Sequence, residues 1–113
     1  MLELIQNVLN KVLLDNVDMS TAQPSEQQSI EGITCYAVQF NWTGFTGDGT
    51  ETISTSASND GITWTAVDTF IPTGTTGSRM LNVEKAGYRF VRIFYVPGTT
   101  VGNLTAHISG KVI

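Results

Sequence analysis

Residues 34–43 read "TCYAVQFNWT", and in them Tyr36, Val38, Phe40 and Trp42 alternate with Cys35, Ala37, Gln39 and Asn41. Side chains of a strand point to opposite faces in turn, so this spacing predicts a strand with one heavy aromatic face. Working outward, the same period recurs. "ETISTSAS" sets Ile53 and Ala57 against polar partners. "NDG", residues 59–61, makes a turn, because Asn and Gly tolerate positive φ. "ITWTAVDTF" is expected as the next strand, with Ile62 and Trp64 re-entering the core in phase. "RMLNVE" is a short strand. "GYRFVRIFYV" is bulky on both faces and so central, with Val91, Ile93 and Tyr95 opposite Tyr88, Phe90 and Phe94. "NLTAHISGKVI" closes the set with Leu104, Ala106, Ile108 and Val112 on one face.

Turn signals every ~8–12 residues between short strands point to an all-β antiparallel sandwich or jelly roll of about seven or eight strands. No helical pattern separates the strands, so a parallel α/β sheet is not expected. The 113 residues make one domain, and sixteen threonines and eleven glycines suit strands joined by many turns.

The first residues read differently. Leu2, Ile5, Val8, Leu9, Val12 and Leu13 fall on one helical stripe over residues 2–14. The expectation is a short amphipathic helix within a docking segment, residues 1–17, preceding a sandwich of residues 18–113. Such a helix is marginal alone and must pack on its own sandwich or on a partner. On this reading, deleting residues 1–14 leaves a folded monomer that no longer assembles. The alternative is that "KVLLDNVDM" is already a strand with Val12, Leu14 and Val17 facing in. Residues 18–33 are polar and irregular. Pro24 argues for an edge or crossing segment there, with a short strand near Gln28–Ile30.

Chemistry is sparse. Cys35 is the single cysteine and reads as a small buried hydrophobe; His107 is the single histidine, on the polar side of the last strand. A Cys/His metal cluster and a histidine-based triad are therefore not expected, and neither is a cofactor. Asp48, Glu51, Asn59 and Asp60 carry oxygens suited to a hard cation, but their spacing fits turns better. Phe45 breaks the strand phase inside a glycine-rich connection. With Asp48, Asn59 and Asp60 it forms a candidate surface-binding set at one end of the sandwich, for a glycan or host surface.

Net charge is −4, which argues against nucleic acid as a partner. The N-terminal apolar run is broken by Glu3, Gln6, Asn7, Asn10 and Lys11, so neither a signal peptide nor a membrane span is expected. The charge is unevenly placed. Residues 1–78 hold one base and nine acids; residues 79–113 hold five bases and one acid. Either the two halves neutralise each other within the fold, or Arg79, Lys85, Arg89 and Arg92 form contacts between subunits.

Three stretches carry a family pattern. They are Ser25 ahead of Tyr36, Val38, Gln39, Trp42 and Gly44; then Ser58, Asp60, Gly61 and Trp64; then Tyr88, Phe90, Val91 and Arg92. Over residues 18–113 the chain resembles small β-sandwich structural proteins of bacteriophage virions, and the Ser-Asn-Asp-Gly turn also resembles discoidin-like, galactose-binding-like sandwiches. The virion resemblance implies a non-enzymatic component such as a capsid decoration, head-fibre or tail protein. Its location would be the virion, after synthesis in the host cytoplasm. Its partners would be capsid or tail proteins and copies of itself, as a trimer or a larger ring.

Overall fold

The structure, a computed structural model, describes residues 6–112, with side chains from residue 9 onward. Among the described residues it is an all-β antiparallel fold of nine strands in two sheets. The strands are β1 (Gln6–Asp18), β2 (Gln23–Pro24), β3 (Gln28–Ser29), β4 (Cys35–Thr46), β5 (Thr52–Ser58), β6 (Thr65–Phe70), β7 (Gly77–Val83), β8 (Phe90–Val96) and β9 (Val101–Val112). One sheet has the order β1-β9-β4-β7. The other has the order β2-β8-β5-β6, with β3 also on β8. The fragments β2 and β3 thus share one strand position, and, apart from the β5–β6 hairpin, successive positions pass between the sheets in the manner of a jelly roll.

Alternation places the core as the sequence implies. Tyr36, Val38, Phe40 and Trp42 of β4 face Ile53 of β5 and Val91, Ile93 and Tyr95 of β8 across the sandwich, and Leu104, Ala106 and Ile108 of β9 complete the layer. All of these are buried. Ile30 and Met19, from the irregular crossing segment, are equally buried. Tyr95 holds that segment in place, its hydroxyl donating to the Met19 carbonyl at 2.8 Å. The split edge is stitched by Ser25. Its N–H donates to the Ile93 carbonyl, and its Oγ accepts the Ile93 N–H, both at 2.8 Å. A side-chain oxygen thus completes the ladder where Pro24 and the following residues cannot.

The expected N-terminal helix is overturned. Among the described residues there is no helix, and β1 pairs with β9 from Gln6↔Val112 to Asp18↔Asn103. The boundary drawn at residues 17 and 18 falls inside this pairing, so residues 6–17 belong to the sandwich. Leu2 and Ile5 lie outside the described residues, as does the side chain of Val8. The cause of the misreading is visible in the register. Irregularities between Asn7/Leu9, Val12/Leu14 and Leu14/Val17 insert extra residues, and Asn16 sits at φ 51°. Each bulge adds a residue to β1 and so breaks the inward step of two. The apolar residues that pack inward are Leu9, Leu13, Leu14 and Val17, which is also the arithmetic of a helical stripe. Val12, assigned to the apolar face on either reading, points outward and is 49% exposed.

Two other differences have local causes. A register shift between Thr43 and Thr46, with Gly44 at φ 61°, swings Phe45 into the core. Beyond the Asn59–Gly61 turn the strand resumes only at Thr65. Ile62 is therefore 82% exposed, and Trp64 is half-buried beneath Arg92.

Candidate functional site

The surface-binding set does not assemble. Phe45 is buried in the core. Asp48 precedes β5 and Asn59 and Asp60 follow it, so they sit at opposite ends of a seven-residue strand. At ~3.3 Å per residue, Glu51 and Asn59 are separated by roughly 26 Å.

Each turn is instead closed on itself. At one end, Ser58 and Asp60 form a small network. Ser58 Oγ accepts the N–H groups of Asp60 and Gly61 at 3.2 and 2.9 Å and donates to Asp60 Oδ1 at 2.9 Å. Asp60 Oδ1 also accepts the N–H groups of Ile62 and Thr63, both at 2.8 Å. The Thr63 and Ile62 N–H groups, followed by the Ser58 hydroxyl, hold the Asp60 carboxyl down at about 2. Asn59 Oδ1 accepts the Arg89 N–H at 3.2 Å and so ties the turn to the start of β8. "SNDG" is a self-capped hairpin connection.

At the other end two carboxylates staple two loops. Glu51 is fully buried, and its carboxylate accepts from Asp48 N–H at 2.9 Å, Gly49 N–H at 3.0 Å and the Thr100 hydroxyl at 2.6 Å. Burial pushes its pKa up. The Thr100 hydroxyl and the Asp48 and Gly49 N–H groups together outweigh that and leave it below the usual carboxylate value. Asp48 accepts from the Thr50 hydroxyl and N–H at 2.6 and 3.0 Å and from the Thr99 N–H at 2.8 Å, and is held well below the usual range. Glycine is required here for space. A Cβ on Gly47 would lie 2.4 Å from Glu51 Oε2, and one on Gly98 would lie 2.3 Å from Asp48 Oδ1. Among the described residues no group of three or more His, Cys, Asp or Glu side chains is placed to hold a metal ion.

The basic residues are largely engaged within the chain. Arg79 pairs with Asp68 at 3.4 Å and lies over the Phe70 ring at 4.5 Å. Arg89 pairs with Glu31 at 2.6 Å and covers Phe90. Arg92 lies 4.4 Å over Trp64, and its Nε is buried without a hydrogen-bond partner. Lys85 is exposed. The two ion pairs join β7 to β6 and the residue before β8 to the segment before β4.

Cys35 and His107 both lie on the outer face of the β1-β9-β4-β7 sheet. Cys35 is half-buried there, opposite Lys111, beside a shallow depression of about 320 Å³ that Ala37, Asn82, Glu84 and Ser109 also line. His107 contacts Asn10 and stands opposite Gln39, four residues along β4 from Cys35. That is ~13 Å at strand spacing, too far for a thiol–imidazole pair.

The surface residues that sequence reasoning missed are apolar. Phe94 and Val96 of β8 are 37% and 41% exposed on the outer face of their sheet. Met80 is 52% exposed on β7, beyond Gln39 of β4. Period-two alternation in "RMLNVE" does place Met80 opposite Leu81 and Val83, and that was the signal available.

Comparison with known proteins finds the fold at full length. No family model matches the chain, and no curated protein matches it. Two solved structures are similar. The SPBc2 prophage-derived protein YomS aligns with a TM-score of 0.64 at 11% identity, over 98% of this chain and 97% of that one. A Bacillus endospore appendage structure, described as a novel family of disulfide-linked pili, aligns with a TM-score of 0.51 at 21% identity, over 100% of this chain and 99% of that one. At these identities the likeness establishes the two-sheet fold and nothing about shared activity.

Proposed function

We propose that this protein is a non-enzymatic structural subunit of a phage-type assembly, acting as a capsid decoration, capsid-associated or tail component through contacts with copies of itself and with neighbouring proteins. The observation that carries this is the end-to-end likeness to a prophage-derived protein and to a pilus subunit, with almost nothing left over on either chain. A second support is chemical. The candidate polar residues at the two ends, Asp48, Glu51 and Asp60, are engaged in holding the turns. The sole cysteine and histidine stand too far apart for nucleophilic catalysis.

The kind of linkage differs from that of the appendage. One cysteine forms one bond, so these 113 residues can be joined in pairs by disulfides but not into a continuous disulfide-linked filament. Assembly would rest on noncovalent contacts, with the exposed apolar residues Met80, Phe94 and Val96 available for them.

The test is sedimentation and electron microscopy of the purified chain from micromolar to millimolar concentration, at low and high salt. Ordered multimers support the proposal. A strictly monomeric protein that forms no particle, alone or with capsid or tail proteins encoded beside it, refutes it.

A further inference from the structure

A two-sheet sandwich has four sheet edges, and each offers a row of unpaired backbone N–H and C=O groups that another strand can join. In this protein three of the four are defended. The β1 edge is broken by three register irregularities and a positive-φ Asn16, and carries Lys11, Asp15 and Asp18. The edge formed by β2 and β3 consists of two-residue fragments separated by a gap and contains Pro24. The β6 edge has a bulge around Val67, with Asp68 beside it. These are the recognised devices against edge-to-edge pairing.

The fourth edge has no bulge, gap or proline, and its one device of this kind is the inward-phase Arg79. β7 pairs with β4 without interruption from Trp42↔Gly77 to Tyr36↔Val83. It is seven residues long, has no proline, and its one charge, Arg79, is drawn back onto Asp68 and the Phe70 ring. Its outward residues Ser78, Met80 and Asn82 are exposed and uncharged.

We propose that β7 is a strand-addition surface and that its occupant is β7 of a second copy, antiparallel about a two-fold axis at Met80. This deepens the structural-subunit reading above and rests on it. Three features favour a second copy over another strand. A two-fold pairing brings an unbroken edge to an unbroken edge, whereas any other edge of a copy presents bulges, a gap or proline. Pairing about Met80 sets Ser78 against the partner's Asn82 and Met80 against the partner's Met80. It therefore keeps outward residues with outward and inward with inward, as register demands. It also places no like charges directly opposite, because Arg79 meets the partner's Leu81. The result is one continuous eight-stranded sheet across two copies. An isologous contact of this kind closes as a dimer, so it would supply the building block and leave other faces for further assembly.

The experiment is cysteine crosslinking in a Cys35→Ser background, by mild oxidation and with a short bifunctional thiol reagent. Residues directly opposite in an antiparallel pair have Cβ atoms ~4.5–5.5 Å apart. Met80→Cys should form a covalent dimer by itself. Ser78→Cys and Asn82→Cys should each crosslink at least tenfold less alone, and efficiently when the two are mixed. Amide exchange on the unmodified protein provides a second readout that is independent of any change to the strand. Protection of alternate β7 amides should rise with protein concentration while that of β1 and β6 does not.

Crosslinking without regard to position, or β7 protection independent of concentration, overturns the inference. If the unmodified protein forms multimers but Met80→Cys does not crosslink, β7 is not the contact and the structural-subunit proposal stands. If no multimer or particle forms at all, both fail.

Discussion

Replacing Glu51 tests whether a buried carboxylate organises one end of the sandwich. Glu51→Ala removes the acceptor for two loop N–H groups and for the Thr100 hydroxyl, in a site where Glu51 is fully buried and Thr100 is 7% exposed. Hydrogen bonds to charged groups contribute ~1.5–3 kcal/mol when lost from buried sites and about 1 where water can substitute. Asp48 and Gly49 are exposed, so about 1 kcal/mol is assigned to each of their N–H groups and about 2 to the Thr100 hydroxyl. The expected loss is roughly 4 kcal/mol, a large share of the ~5–15 kcal/mol typical of a domain. At ~2.1 cal/mol/K per residue, a 113-residue chain shifts about 4 °C per kcal/mol, so Tm should fall by roughly 15 °C.

Glu51→Gln keeps an acceptor oxygen of the same shape and should lose about half as much. Thermal and urea unfolding followed by circular dichroism at pH 7 would measure both. The sign with pH follows from the lowered pKa of Glu51. Its contribution is complete above the unfolded carboxylate value and is lost as pH falls, so the gap between Glu51→Gln and the parent protein should narrow from pH 7 to pH 3. Glu51→Gln within 0.5 kcal/mol of the parent at pH 7, or a gap unchanged at pH 3, would refute the reasoning; that threshold is about the scatter of neutral surface changes.

Other outcomes follow from the same structure. Deleting residues 1–14 should leave β9 without its β1 partner along most of the Gln6–Asp18 pairing and expose Ala106 and Ile108, so the truncated chain should be unfolded or aggregated by circular dichroism and size-exclusion chromatography. A folded, soluble truncation would mean that β1 is dispensable. Ser25→Ala strips the buried Ile93 N–H of its acceptor and should cost about 1–3 kcal/mol in urea unfolding, with Ser25→Thr, which retains a hydroxyl, closer to the parent. Acid should weaken the fold in a defined window. Asp60 (to about 2), Asp48 and Asp18 all have lowered pKa values through hydrogen bonds to their carboxylates, so stability should be level from pH 7 to ~4.5 and fall between there and pH 2. A stability maximum below pH 4 would contradict this.

The sequence by itself determined the all-β class, the turn at Asn59–Gly61 and the inward faces of β4, β8 and most of β9, because uninterrupted strands carry an exact period of two. Tertiary structure decided the places where that period slips. Bulges in β1 spaced Leu9, Leu13, Leu14 and Val17 like a helix, and only pairing with β9 resolves them as a strand. The bend at Gly44 turned Phe45 from an apparent surface residue into core. The ends of the sandwich were illegible for a related reason. Asp48 and Glu51 lie about fifty residues from Thr99 and Thr100 in the chain, and only the closed sandwich shows that they bond to each other. The openness of β7 was hidden in the same way. Whether a strand is interior or at an edge is a property of its neighbours, and its own residues do not encode them.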